Sequence, residues 1–145
     1  MKYIKPSTLP YGSILEATRN VLEIRIKDFP NQGCQFTSRL LSSLRPIVTL
    51  DEVGGYFRHS SVQGTKNHVW VEDKQRGLYI DLTLDQFLDR APRVAIMKNT
   101  SPVLIQSPTI HAGAINVPTE KYFTEEGLTA MINMIADERV RIKNN

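Results

Sequence analysis

One cysteine, Cys34, stands in a chain of 145 residues. A single thiol excludes an intramolecular disulfide and suits a reducing compartment. Histidine is also scarce, with three residues at His59, His68 and His111. So few and so scattered, they offer no metal-ligand spacing with Cys34, and no metal or other cofactor is expected. No glycine-rich phosphate loop is present. No apolar run is long enough to span a bilayer. The start, Met1-Lys2-Tyr3-Ile4-Lys5-Pro6, lacks the apolar stretch of a signal peptide. The expected compartment is therefore the cytoplasm, with secretion as an effector through an uncleaved signal as the alternative. Blocks of one charge are missing too. The net charge is +3 with both signs mixed along the chain, so nucleic acid is not an expected partner. Repeats, low-complexity tracts and linkers are absent, which leaves a single domain over 1–145.

Apolar spacing supplies the elements. A lead-in with Pro6, Pro10 and Gly12 carries a short edge strand at Lys2–Ile4. Ser13 is placed to cap a helix to about Lys27, with Ile14, Leu15, Ala17, Val21, Leu22 and Ile24 on its apolar face. Phe29-Pro30 ends it. A second helix follows from Cys34 to about Leu44. Strands are expected at Val53–Ser60, His68–Glu72 and Leu78–Thr83, joined by short turns as an antiparallel meander. A helical turn at Leu84–Arg90 and short strands at Arg93–Lys98 and Val103–Gln106 come next. His111–Pro118 reads as a loop. Thr124 caps a last helix whose buried stripe is Leu128, Met131, Ile132, Ile135 and Ala136. From Arg139 the basic tail is expected to fray. Two helices, a meander and a late helix make an α+β domain.

Cys34 is the centre of the functional reading. Gly33 precedes it and Phe36, Leu40 and Leu44 follow at helical spacing, so the thiol falls in or beside a first helical turn. Unpaired amides and the helix dipole there favour a thiolate, the nucleophilic form. Strand alternation supplies a base. His68, Trp70 and Glu72 share one face, and Tyr79, Asp81 and Thr83 share a face on the next strand. The intervening turn sets His68 directly across from Asp81 or on its diagonal, in reach either way. If the Cys34 helix crosses this face, His68 can take the thiol proton while Asp81 orients the ring. The Cys34 amide is an oxyanion donor, with Gln32 or Trp70 as a second. Trp70 is also placed to shield the His68–Asp81 pair from water. Both Cys34 and His68 are expected at the surface of a cleft.

The same residues resemble a known family. Gly33-Cys34 at a helix start, Gly54-Gly55-Tyr56, His68-Val69-Trp70-Val71-Glu72 and Tyr79-Ile80-Asp81-Leu82-Thr83 stand in the order found in the transglutaminase-like branch of papain-fold cysteine enzymes. The likeness runs from about Gly33 to Phe87. It implies a papain-like fold, with Cys34, His68 and Asp81 as nucleophile, base and orienting acid. Asp85-Gln86-Phe87 is more similar to small bacterial papain-fold effectors and toxins. The tryptophan that larger members carry near the cysteine is missing.

His59 and His111 compete for the role of base, but neither faces an acid on a paired strand. The expected activity is thiol acyl transfer on a protein or peptide amide. Hydrolysis, by a protease or a glutamine deamidase, ranks above transglutaminase-type crosslinking because the chain has no room for an acceptor-binding domain. A non-enzymatic interaction module on the same fold is the other reading, and the sequence leaves the oligomeric state open.

Overall fold

A computed structural model of the protein describes residues 2–31, 33–45, 47–107 and 124–144. Helix α1 spans Gly12–Arg25, α2 spans Cys34–Ser42 and α3 spans Glu125–Lys143. The strands are β1, Asp51–Phe57; β2, Lys66–Asp73; β3, Leu78–Asp81; β4, Ala95–Lys98; and β5, Leu104–Gln106. Single 3-10 turns occupy Pro6–Thr8 and Leu84–Gln86. The architecture is α+β.

All strand pairs are antiparallel, in the order β4-β3-β2-β1-β5. The first four strands form the expected meander. β5 leaves it and pairs with β1 at the opposite edge. Alternation along each strand feeds two apolar clusters, one per face. Val71, Leu78, Ile80 and Ile96 join residues of the three helices, among them Leu15, Leu22, Phe36, Leu40, Met131 and Ile135. Val53, Phe57, Trp70, Tyr79, Ala95 and Met97 form the second cluster with Leu84, Val103 and Leu104. The sheet therefore has no open, polar face. Packing on both faces decides the environment of the site.

Three local expectations also change. Ser13 does not cap α1; Tyr11 precedes the helix and makes no side-chain cap. The Ser13 hydroxyl instead accepts from Arg139 Nε on α3 at 3.0 Å. Lys2–Ile4 is not a strand, although the Ile4 N–H donates to the Ile96 carbonyl at 2.8 Å beside β4. The basic tail does not fray at Arg139: α3 continues to Lys143, held by the Arg139 bond and by an Arg141–Glu138 ion pair one turn back. Its start is as expected, with the Thr124 hydroxyl accepting from the Gly127 N–H at 3.0 Å and Glu125 and Glu126 in the first turn. The expected loop at His111–Pro118 lies outside the described residues.

Gly55 holds the middle strands together by having no side chain. A Cβ there would sit 2.0 Å from the Ile105 carbonyl oxygen and 2.8 Å from the Trp70 ring. Neither the β5 backbone nor a fully buried indole can step aside cheaply. Gly55→Ala should therefore destabilise the protein by at least about 1–3 kcal/mol, the usual cost of overpacking. Urea unfolding measures this, and a midpoint equal to wild type would show that β5 is free to move off β1.

Candidate active site

Helix α2 begins at Cys34, directly after Gly33. The thiol thus stands at the first helical position. Its own N–H has no intrahelical acceptor, because the ladder starts with the Thr37 N–H to the Gly33 carbonyl, at 3.0 Å. Gly33 is there for closeness. A Cβ at this position would meet the Phe29 ring at 2.7 Å, so only glycine lets the entering chain lie flat against that ring.

The partners come from the β2–β3 hairpin. Val71 pairs with Ile80 and Glu72 with Tyr79. Continuing that register sets Trp70 opposite Asp81 and His68 on the diagonal. His68 Nε2 and Asp81 Oδ2 are 2.6 Å apart. The second carboxylate oxygen, Oδ1, accepts from the Thr83 N–H at 2.8 Å and from the Thr83 hydroxyl at 3.0 Å. Asp81 is therefore held from both sides, and one rotamer satisfies all three bonds. Thr83 was visible as a face-mate of Asp81, but its function as an anchor is a finding of the structure. The signal is the Asp-x-Thr spacing, in which a carboxylate and the donors two residues on close a local turn.

Cys34 is a second neighbour of the imidazole. Its hydrogen bonding and its charge both act on the imidazole. Nδ1 still has no partner in full hydrogen-bonding geometry. Aromatic rings close the remaining sides. Trp70 lies 5.9 Å from the imidazole, centroid to centroid, and Phe87 meets it edge-on at 5.0 Å. Phe57 stacks behind Phe87 at 4.7 Å.

This arrangement is closed. His68 is 0% exposed, Asp81 2% and Cys34 8%. The expected cleft surface is not there, because the second apolar cluster covers the sheet face that carries the ring. Trp70 is buried, so it shields the pair and does not line a surface; its Nε1 has no partner. Gln32 lies outside the described residues, as does His111. His59 is half-buried and its Nδ1 is taken up by Ser61, 2.7 Å from the hydroxyl. A cavity of about 530 Å³ shares the Phe87 wall and is lined also by Tyr3, His59, Leu88 and Arg90, but by neither Cys34 nor His68. Among the described residues no cluster of His, Cys, Asp or Glu could hold a metal ion, and no helix is long and apolar enough to cross a membrane.

Electrostatics follow from the burial. Desolvation, the largest single effect on His68, pulls its pKa down. The Asp81 charge and hydrogen bond, followed by the hydrogen bond and charge of Cys34, outweigh it and raise the pKa to about 10. Tyr3 reports the same field. Burial and then the Asp81 charge push its phenol up. No family model, curated protein or solved structure matches this chain.

A raised histidine pKa makes a pH-dependent contribution to stability. The folded state keeps the proton that the unfolded state gives up near pH 6.5. The stabilisation is complete below about pH 6.5 and is lost as the pH rises through about 10. Unfolding free energy should fall by up to about 1.4 kcal/mol per pH unit in this window. His68→Gln should remove that slope. Parallel slopes for the two proteins in urea titrations between pH 7 and 9.5 would mean that the buried ring is neutral.

Proposed function

We propose that the protein is a cysteine-dependent amide hydrolase or acyl-transfer enzyme with a transglutaminase-like, papain-type arrangement of Cys34, His68 and Asp81. The observation that carries this reading is the placement of His68. One ring nitrogen is bonded to a doubly anchored Asp81 and the other side faces a thiol at a helix start. The ring is protonated at neutral pH. It therefore enters the cycle as an imidazolium beside the sulfur, the setting that favours a thiolate.

The reaction runs in two halves. The thiolate attacks the carbonyl carbon of an amide, and the oxyanion forms near the free Cys34 amide. The C–N bond then breaks. The leaving amine or ammonia takes the imidazolium proton, and a thioester remains. Neutral His68 next removes a proton from water, which attacks the thioester. A carboxylic acid leaves and gives its proton to solvent, and the thiolate–imidazolium pair is restored. Protein or peptide amides are the substrate class. Proteolysis, glutamine deamidation and crosslinking differ only in what takes the acyl group and what leaves, water or an amine.

The closure of the site favours a second reading, a non-enzymatic module in which the His68–Asp81 pair is structural. Thiol reactivity separates the two. A catalytic Cys34 is alkylated by iodoacetamide well below about pH 8, where an ordinary thiol is mostly protonated.

Substitutions carry the test further. Cys34→Ser should abolish turnover in a folded protein. His68→Ala should abolish it too, and it should also destabilise the fold by about 3–5 kcal/mol, because Asp81 would be left buried without its cationic partner. The double variant should be no slower than either single one. The assay is a cell lysate read by mass spectrometry. New peptide termini mark proteolysis, and a gain of about one mass unit at glutamine marks deamidation, the mass of NH₂ replaced by OH. Turnover surviving in folded Cys34→Ser would end the nucleophile assignment.

A further inference from the structure

Arg19 is a cation in the wrong place for a surface helix. It falls between Leu15 and Leu22 at the four- and three-residue spacings of the buried stripe of α1, and it is 3% exposed. All three guanidinium nitrogens donate. Nη1 donates to the Leu82 carbonyl at 2.6 Å and to Asp85 Oδ1 at 2.8 Å, with a longer 3.3 Å contact to the Arg93 carbonyl. Nη2 donates to Asp85 Oδ2 at 2.8 Å, and Nε to Glu23 Oε1 at 2.7 Å. The flat face of the guanidinium lies 4.9 Å from the centroid of Phe29.

These contacts join the two halves of the site. Leu82 lies between Asp81 and its anchor Thr83. Asp85 sits in the 3-10 turn that delivers Phe87 to the edge of the His68 ring. On the other side, the Phe29 ring that carries the guanidinium is the ring against which Gly33 packs, one residue before Cys34. We infer that Arg19 is a positioning residue that sets the distance between the Cys34 sulfur and the His68–Asp81 pair. It does so by fastening the Asp81–Phe87 segment and the Phe29–Gly33 turn to one side chain. The inference rests on Cys34 being the nucleophile.

Energetics support a geometric role. A buried ion pair gains little over apolar residues of the same size, since desolvation offsets most of the attraction. What the pair supplies is direction. A bidentate guanidinium–carboxylate contact fixes both partners in plane, and a carbonyl and an aromatic face add two further constraints. Reaction rates respond steeply to such constraints, because misplacing reacting groups by about 1 Å can cost on the order of a hundredfold.

The test uses the intact chain and the rate of Cys34 alkylation by iodoacetamide, followed from about pH 5 to about pH 9, where thiolate fraction sets the rate. Thermal unfolding by circular dichroism controls for the fold. Arg19→Met keeps the length and removes every directed bond. It should melt cooperatively yet react on the order of tenfold or more slowly near neutral pH, with a profile moved toward that of an ordinary thiol. Phe29→Leu leaves the Asp85 ion pair in place and should slow the reaction in the same way. If Arg19→Met does not fold, Phe29→Leu decides the matter alone. Adding Arg19→Met to His68→Gln should cause no further loss, as expected if Arg19 acts through the ring; a purely structural role would give an added loss. Wild-type rate and profile in a folded Arg19→Met or Phe29→Leu protein would overturn the inference. A different result, a wild-type thiol with ordinary reactivity at every pH, would instead remove the nucleophile reading on which it stands.

Discussion

A charged imidazole inside an α+β domain has to be matched or removed, and the contact between His68 and Asp81 is the match. Taking either ion out of water costs several kcal/mol, and only close, well-oriented partners return it. The structure supplies them in a chain. Asp81 binds the ring at 2.6 Å, and Thr83 occupies the oxygen that the ring does not reach. Because β2 and β3 are antiparallel with this register, the bond runs along the diagonal of a hairpin. A one-residue slip would send His68 and Asp81 to opposite faces. The pair therefore depends on register, and register depends on the apolar residues of both faces.

Covering both faces has a chemical consequence. Low dielectric strengthens the Asp81–His68 attraction, and the Trp70 and Phe87 rings keep water from competing for the imidazole. It also leaves little of Cys34 accessible. On the proposed reading, a substrate amide would have to reach a sulfur whose residue is almost covered, and its approach would require displacement of groups around the first turn of α2. Phe29 and Gly33 meet there, and Arg19 holds Phe29.

Much of this was readable in the chain, and the gaps have physical causes. The Cys34 helix start, the β2–β3 hairpin, the approach of His68 to Asp81 either directly across or on the diagonal, and the Thr124 cap follow from spacing and turn chemistry, which act over a few residues. The burial of the site did not follow. Alternation says which side chains share a face, but not what covers that face, and β5 and the Leu84–Gln86 turn arrive from later in the chain. Arg19 had a local signal, a charge at a stripe position between Leu15 and Leu22, but its partners Leu82 and Asp85 are more than sixty residues away. Gln32 was a donor candidate by proximity in sequence alone, and it lies outside the described residues.

On the proposed reading, one residue serves as acid and then as base, and the site contains the means for the change. Two of the effects that raise the His68 pKa come from Cys34, its hydrogen bond and its charge. Both depend on a free sulfur. Once the sulfur is acylated it carries no charge and has no proton to share. The Asp81 bond holds the ring's orientation, so losing the Cys34 effects would lower the ring's affinity for the proton. His68 thus holds its proton most tightly before the amide bond is attacked. It releases that proton more readily when the amine departs, and it is left as the neutral base that deacylation needs. The switch needs no movement of the ring, only the change of charge on the atom beside it.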